Sequence, residues 1–206
     1  ECISFAAGRM AFYSLLTNLG IGKGDEVLLT GFTCSVMAGA VLKSGATIVY
    51  ADIESGTLGT SASSIRNLLT GRTRMIVAQH SFGIPCEIRE IATIAKENGI
   101  FLLEDCAIAL GSSVNGMALG NFGDAAIFST DHSKPVNTFT GGLLYSRNTT
   151  LISKIREFRD SCDNLPVKKL HAIWQRIKIE KKFCNAVNYS SFPLREFISA
   201  VARKLS

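Results

Sequence analysis

The 206-residue sequence contains no apolar run long enough to cross a bilayer. A membrane-spanning helix needs roughly 18–20 apolar residues in succession, and Arg9, Lys43 and the pair Glu104–Asp105 interrupt the best candidates. No basic segment followed by an apolar core opens the chain, so a secretory signal is not expected. A chain that starts on Glu1 rather than Met is expected to be a fragment or a processed product. No C-x-x-C pair occurs. Cys2, Cys34, Cys86, Cys106, Cys162 and Cys184 are widely spaced. They read as reduced thiols of a cytoplasmic protein, neither a disulfide framework nor a zinc site, and no metal centre is expected. Internal repeats and low-complexity tracts are missing as well. These absences exclude an integral membrane helix bundle, a small secreted disulfide scaffold and a repeat array.

What is present is an ordinary globular composition, 47% hydrophobic and 19% charged, in a length that suits one domain with a short appendage. The expected division is a large domain over 1–160 and a helical segment over 161–206. The net charge of +5 is unevenly spread. Residues 1–150 are close to balanced, whereas the last quarter carries Lys154, Arg156, Arg159, Lys168, Lys169, Arg176, Lys178, Lys181, Lys182, Arg195, Arg203 and Lys204. A nucleic-acid interface would require aromatic residues interleaved on one basic face, so such a partner is not expected. The plain reading is a set of helices with solvated basic faces, and the alternative is that some of these cations meet a substrate diphosphate.

Hydrophobic periodicity predicts alternating elements. Helices are expected over 9–19, 34–44, 62–69 and 87–97, with Ser61 or Ser63 as the cap of the third. Strands are expected over 26–30, 47–50, 75–78, 100–103, 125–128 and 143–145. Further helices are predicted at 151–158, 168–185 and 194–205. Strands separated by helical stretches of 10–15 residues imply parallel βαβ units, hence an α/β fold with a mostly parallel sheet and helices on both faces.

In such a sheet, chemistry collects where strands end and helix N-termini begin. Three loops qualify. Ala6-Ala7-Gly8-Arg9 precedes the first helix, and its amides suit a phosphate, although alone it also fits an unoccupied helix turn. Glu104-Asp105 ends an apolar run, and Ser129 and Lys134 follow the next one. A carboxylate at a strand end, a hydroxyl and a lysine are what pyridoxal 5'-phosphate (PLP) requires. The carboxylate keeps the pyridine nitrogen protonated, the hydroxyl holds the phosphate, and the amine forms a Schiff base with the aldehyde.

The sequence from about Ala7 to Tyr145 resembles the PLP-dependent sugar aminotransferases of the DegT/StrS type, enzymes of the aspartate-aminotransferase fold. The segments that carry the likeness begin with Leu19-Gly20-Ile21-Gly22-Lys23-Gly24-Asp25-Glu26-Val27, and with Gly45-Ala46-Thr47 followed by Asp52-Ile53. Gln79-His80-Ser81-Phe82-Gly83-Ile84-Pro85 is similar to the family's His-x-x-Gly-x-Pro loop. Glu104-Asp105-Cys106-Ala107, Gly123-Asp124 with Phe128-Ser129, and Gly141-Gly142 complete the series. The resemblance implies a three-layer large domain with a helical C-terminal tail and with the family's small domain missing or reduced. It also implies a homodimer, and the transfer of an amino group from an amino acid donor to a nucleotide-linked keto sugar.

Residue by residue, the resemblance makes Lys134 the lysine that forms the internal aldimine and then moves a proton. Asp105 becomes the partner of the pyridinium nitrogen, and Ser129 a phosphate ligand aided by the amides of Gly8 and Arg9. Gly8-Arg9 stands where Gly-Thr is common. Three departures are plain. Ile108 replaces a glutamine that touches the ring's phenolic oxygen, Cys34 replaces the aromatic that stacks on the pyridine, with Phe32 nearby, and Thr140 replaces an acid before the paired glycines. His132, two residues from Lys134, is a candidate proton relay, and His80 reads as structural. Some relatives are dehydratases with histidine at the lysine's position, but here the lysine is in register. A dehydratase of the same family and a non-catalytic PLP-fold domain remain the alternative functions.

Overall fold

Short apolar runs pair side by side because their buried backbone amides and carbonyls need partners, and helices then cover the faces of the sheet they form. In the computed structural model, which describes residues 1–183 and Val201, the chain divides into two units, Glu1–Ser161 and Cys162–Ser206. The first unit runs β1 (Cys2–Phe5), α1 (Gly8–Asn18), β2 (Glu26–Thr30), α2 (Ser35–Ser44), β3 (Thr47–Ala51), α3 (Ala62–Leu68), β4 (Thr73–Gln79), α4 (Ile88–Glu97) and β5 (Phe101–Asp105). A small hairpin of β6 (Ser113–Val114) and β7 (Met117–Ala118) follows, then β8 (Ala125–Ser129), β9 (Gly142–Ser146) and α5 (Thr149–Asp160). The second unit contains α6 (Val167–Phe183), on which Trp174 is exposed. The predicted end of this helix at 185 and the predicted helix at 194–205 lie outside the described residues. Among the described residues, no helix is long and apolar enough to cross a membrane.

Seven strands form one sheet in the order β1-β9-β8-β5-β4-β2-β3. The block from β8 to β3 is parallel throughout. Only β9 runs the other way, antiparallel to both β8 and β1. Alternation along the strands divides the core in two. Val27, Leu29, Met75, Val77, Leu103 and Ile127 face α1, α2 and α5, meeting Phe12, Leu15, Leu16, Val41 and Ile152. Leu28, Ile76, Leu102 and Ala126 face α3 and α4, meeting Ile65, Ile88, Ile91 and Ile94. Both faces are therefore covered, which explains why β2 reads as an unbroken buried run. The result is a three-layer α/β unit.

Local chemistry sets the element ends. Ser61 caps α3 by accepting the Ser64 amide, and Gly45 closes α2 in the left-handed region at φ 86°. Asn148 caps α5 by accepting the Leu151 amide, so this helix starts at Thr149, two residues ahead of the predicted 151. Two elements carry too little sequence signal to be expected. β1 is four residues long, and the hairpin strands are two residues each.

Candidate active site

The parallel strands end on one edge of the sheet, at Gln79 of β4, Asp105 of β5 and Ser129 of β8. Gln79 is paired with Asp105 across the sheet, and Ser129 with Gly142. Because successive side chains point to opposite faces, the adjacent carboxylates Glu104 and Asp105 diverge. Glu104 shares its side with Leu102 toward α3 and α4, while Asp105 shares its side with Leu103 toward α1 and α2.

Glu104 is fully buried and saturated. One carboxylate oxygen accepts the amides of Phe122 and Gly123, both at 2.7 Å, and the other accepts Gly120 N–H at 2.8 Å. His80 Nδ1 accepts the Cys86 amide, which leaves its proton on Nε2 to be donated to Glu104 at 3.3 Å. Burial pushes the Glu104 carboxyl upward, but the bonds from His80, Gly123 and Gly120 outweigh it and hold the group below the usual range. The donor atoms of His80, Glu104 and Cys106 lie within 4.8 Å of one another. With Glu104 taken by four donors and Nδ1 of His80 by an amide, this cluster is a hydrogen-bonded clamp. Asp124 extends it, accepting the Leu102 amide at 2.8 Å.

Asp105 is also buried, yet among the described residues its carboxylate receives one hydrogen bond, from the Ala107 amide at 3.0 Å. Burial raises its pKa, opposed by that amide and by the charge of Lys134. It lines two adjoining chambers. The first, about 170 Å³, is also lined by Gly8, Arg9, Cys34, Ser129 and Lys134. The second, about 220 Å³, adds Phe32, Gln79, Phe82 and Ile108 to the shared Cys34, Asp105, Ala107 and Lys134. All five residues expected from the sequence thus border one cavity, although they lie as far apart as Gly8 and Lys134 in the chain.

The N-terminus of α1 is held there by a close approach. An added Cβ on Gly142 would fall on the backbone of Ala7 and Gly8, so only glycine lets β9 pass this close. Ala7 pairs with Gly141, and Thr140 Oγ1 donates to Ala6 O. The α1 N-cap, Ala7, offers no side-chain cap, and the first turn carries no acid. A methyl on Gly8 would stand 3.6 Å from Ser129 Cβ and 3.9 Å from its Oγ. The space before the Ser129 hydroxyl is thus kept open and bordered by helix amides, a setting for an anion.

Lys134 is half-buried, its amide donating to Asp131 O at 2.9 Å. His132 is exposed, lies outside both chambers, and is paired with Asp131 at 2.6 Å. Burial works upward on Asp131, but the His132 bonds prevail and lower its pKa. His80, in the clamp, reaches the second chamber's wall with both ring nitrogens engaged. Cys34, the N-cap of α2, borders both chambers, and Ile108 borders the second. Two wall residues went unanticipated. Phe82 sits at φ 57° with its ring 6.0 Å from that of Phe32. Gln79 donates to Phe32 O and to Ser81 Oγ. Position alone marked Gln79, which ends β4 on the same edge where Asp105 ends β5.

The sequence profile of the DegT/DnrJ/EryC1/StrS aminotransferase family matches residues 1–188. The chain belongs to this family. It is 33% identical over 147 residues to GDP-perosamine synthase of Vibrio cholerae, covering 71% of this chain and 40% of that protein. It is also 33% identical over 174 residues to a UDP-N-acetyl-3-dehydro-alpha-D-glucosamine 3-aminotransferase of Acidithiobacillus ferrooxidans, covering 84% of this chain and 44% of that protein. NtdA from Bacillus subtilis, solved with bound cofactor PMP, superposes with a TM-score of 0.72 at 25% identity, over 79% of this chain and 38% of that one. The chain therefore spans less than half the length of these relatives.

Proposed function

We propose that this chain is the cofactor-holding part of a PLP-dependent aminotransferase, acting as a homodimer, that moves an amino group from an amino acid donor to a keto sugar carried on a nucleotide. The observation that supports it is the convergence of Asp105, Ser129, Lys134 and the α1 N-terminus on one cavity. The donor set suits the cofactor at each of its ends: an anion seat at Gly8, Arg9 and Ser129, a buried carboxylate with an oxygen to spare at Asp105, and an amine at Lys134. The family and the names of the relatives point the same way. PMP, pyridoxamine phosphate, is the aminated form of PLP, and the cofactor supplies an electron sink that makes carbon–nitrogen exchange possible.

The residues have distinct tasks in this reading. Asp105, desolvated and short of donors, is in need of a cationic partner, which a protonated ring nitrogen provides. Ser129 and the amides of Gly8 and Arg9 bind and orient the phosphate. Lys134 would hold the cofactor's aldehyde end and serve as the base that moves a proton at the donor carbon. The saturated clamp around Glu104 fixes the end of β5, and with it Asp105. Phe32, Phe82 and Ile108 give the second chamber an apolar wall, and that chamber is left for the substrate.

The test is to add PLP to the purified chain, reduce with borohydride and map the modified peptide. The expected result is a cofactor adduct on Lys134, absent from Lys134→Ala. Binding of PLP without any adduct at Lys134, or no binding at all, defeats the proposal. Loss of the bound aldehyde's absorbance on adding glutamate would then separate amino transfer from a dehydratase, which needs no donor.

A further inference from the structure

We infer that Cys34 is a wall of the cofactor cavity whose modification and cofactor binding exclude one another, so that the site is open to thiol-directed electrophiles. The inference rests on the cofactor reading above. Cys34 is exposed, and it borders both chambers, alongside Asp105 and Lys134 in each. Asp105 is the independent pointer that something of opposite charge belongs in this space. It is 94% buried, borders the same chambers, and has a carboxylate oxygen that no described residue bonds.

The cysteines of the described residues sort into three environments. Cys86 and Cys106 are buried in the α3/α4 face. Burial, followed by the neighbouring Glu104 carboxylate, pushes the Cys86 thiol up to about 12 and raises that of Cys106 as well, so neither forms the reactive thiolate at neutral pH. Cys2 and Cys162 are exposed but border neither chamber. Cys34 alone among them combines exposure with a place in the cavity wall. A residue expected to be aromatic in this family would be inert here, whereas a thiol can be alkylated: the sulfur–carbon bond forms, the leaving group departs as halide, and the thiol proton passes to solvent. The added group then projects into a space of about 170 Å³ that the cofactor needs.

The experiment uses the full 206-residue chain and iodoacetamide, with and without PLP, followed by peptide mapping of each cysteine. At a PLP concentration about ten times its dissociation constant, roughly one molecule in eleven is free, so labelling of Cys34 slows about ten-fold. Labelling of Cys2 and Cys162 is unchanged. In the converse arm, PLP binding is measured by equilibrium dialysis before and after alkylation. The wild-type chain loses most of its binding on alkylation, and Cys34→Ser shows the same binding before and after treatment, whatever its starting level. Labelling of Cys34 at one rate in both conditions, while dialysis shows PLP bound, overturns the inference and leaves the cofactor reading standing. Alkylated chain that still binds PLP does the same. Failure of untreated chain to bind PLP removes both.

Discussion

Two carboxylates one residue apart, Glu104 and Asp105, end the same strand on opposite faces of the sheet and are treated in opposite ways. On the α3/α4 side Glu104 meets four donors and is held ionised below its ordinary range. On the α1/α2 side Asp105 meets one donor among the described residues, and burial raises its pKa. The saturated group is structural, because nothing is left for it to bind. The unsaturated one is the candidate site, because the Ala107 amide and the charge of Lys134 offset its desolvation only in part. Burial alone does not distinguish them. The donor count does.

The comparison breaks first at Glu104. Glu104→Gln turns an N–H toward backbone amides that themselves donate, leaving buried groups unpaired. A loss of about 3 kcal/mol in unfolding free energy is expected, measured by urea denaturation. A loss under about 1 kcal/mol would mean that the clamp is not what positions the strand end. The next effect belongs to the other face. Gly142→Ala drives a methyl into the backbone of Ala7 and Gly8, so the N-terminus of α1 must shift away from Ser129. About 2 kcal/mol of stability should be lost to this overpacking, together with most of the affinity for PLP or for inorganic phosphate. Unchanged phosphate affinity would exclude the α1 amides from the anion seat.

Much of this was legible in sequence, for identifiable reasons. The three-layer core follows from short unbroken apolar runs alternating with amphipathic helices, which β4 and α4 show plainly. The cavity residues were found because Asp105, Ser129 and Gly8 each sit at a strand end or a helix start, where topology sends them to one edge. Which of Glu104 and Asp105 faces that edge came from the family resemblance alone, since alternation says only that they diverge. The donors to Glu104 were hidden for a related reason. They are backbone amides of residues 120–123, whose side chains carry no sign of the task. β1 escaped because its pattern is too short, and its pairing with β9 spans nearly the whole unit.

Asp105→Asn sharpens the contrast from the opposite direction. Removing a charge that burial disfavours should leave the stability of the chain without cofactor within about 1 kcal/mol of wild type, or slightly above it. PLP affinity should fall by about 2 kcal/mol or more, roughly 30-fold, as the partner of the ring nitrogen is lost. Destabilisation equal to that of Glu104→Gln would erase the distinction between the two carboxylates.

The smallest effect is the most specific, because the two groups should give pH dependences of opposite sign. Glu104 has its pKa lowered by folding, so its stabilisation is complete above the unfolded value near 4.5 and is lost as pH falls through the folded one. Asp105 has its pKa raised, so its penalty is absent below the unfolded value near 3.8, grows as pH rises toward the folded value, and is constant beyond it. Unfolding free energies of the chain without cofactor, followed from neutral pH to about pH 3, therefore separate the variants, with a limiting slope of about 1.4 kcal/mol per pH unit for each group. The gap by which wild type exceeds Glu104→Gln should close on acidification below the ordinary carboxylate range. The gap by which Asp105→Asn exceeds wild type should close as well, but from the opposite side, so that the two variants' curves converge on wild type from below and from above. Saturating PLP should reverse the second gap, because wild type gains about 2 kcal/mol more from binding than Asp105→Asn does, and leave the first, because the cofactor reaches nothing on the face of Glu104.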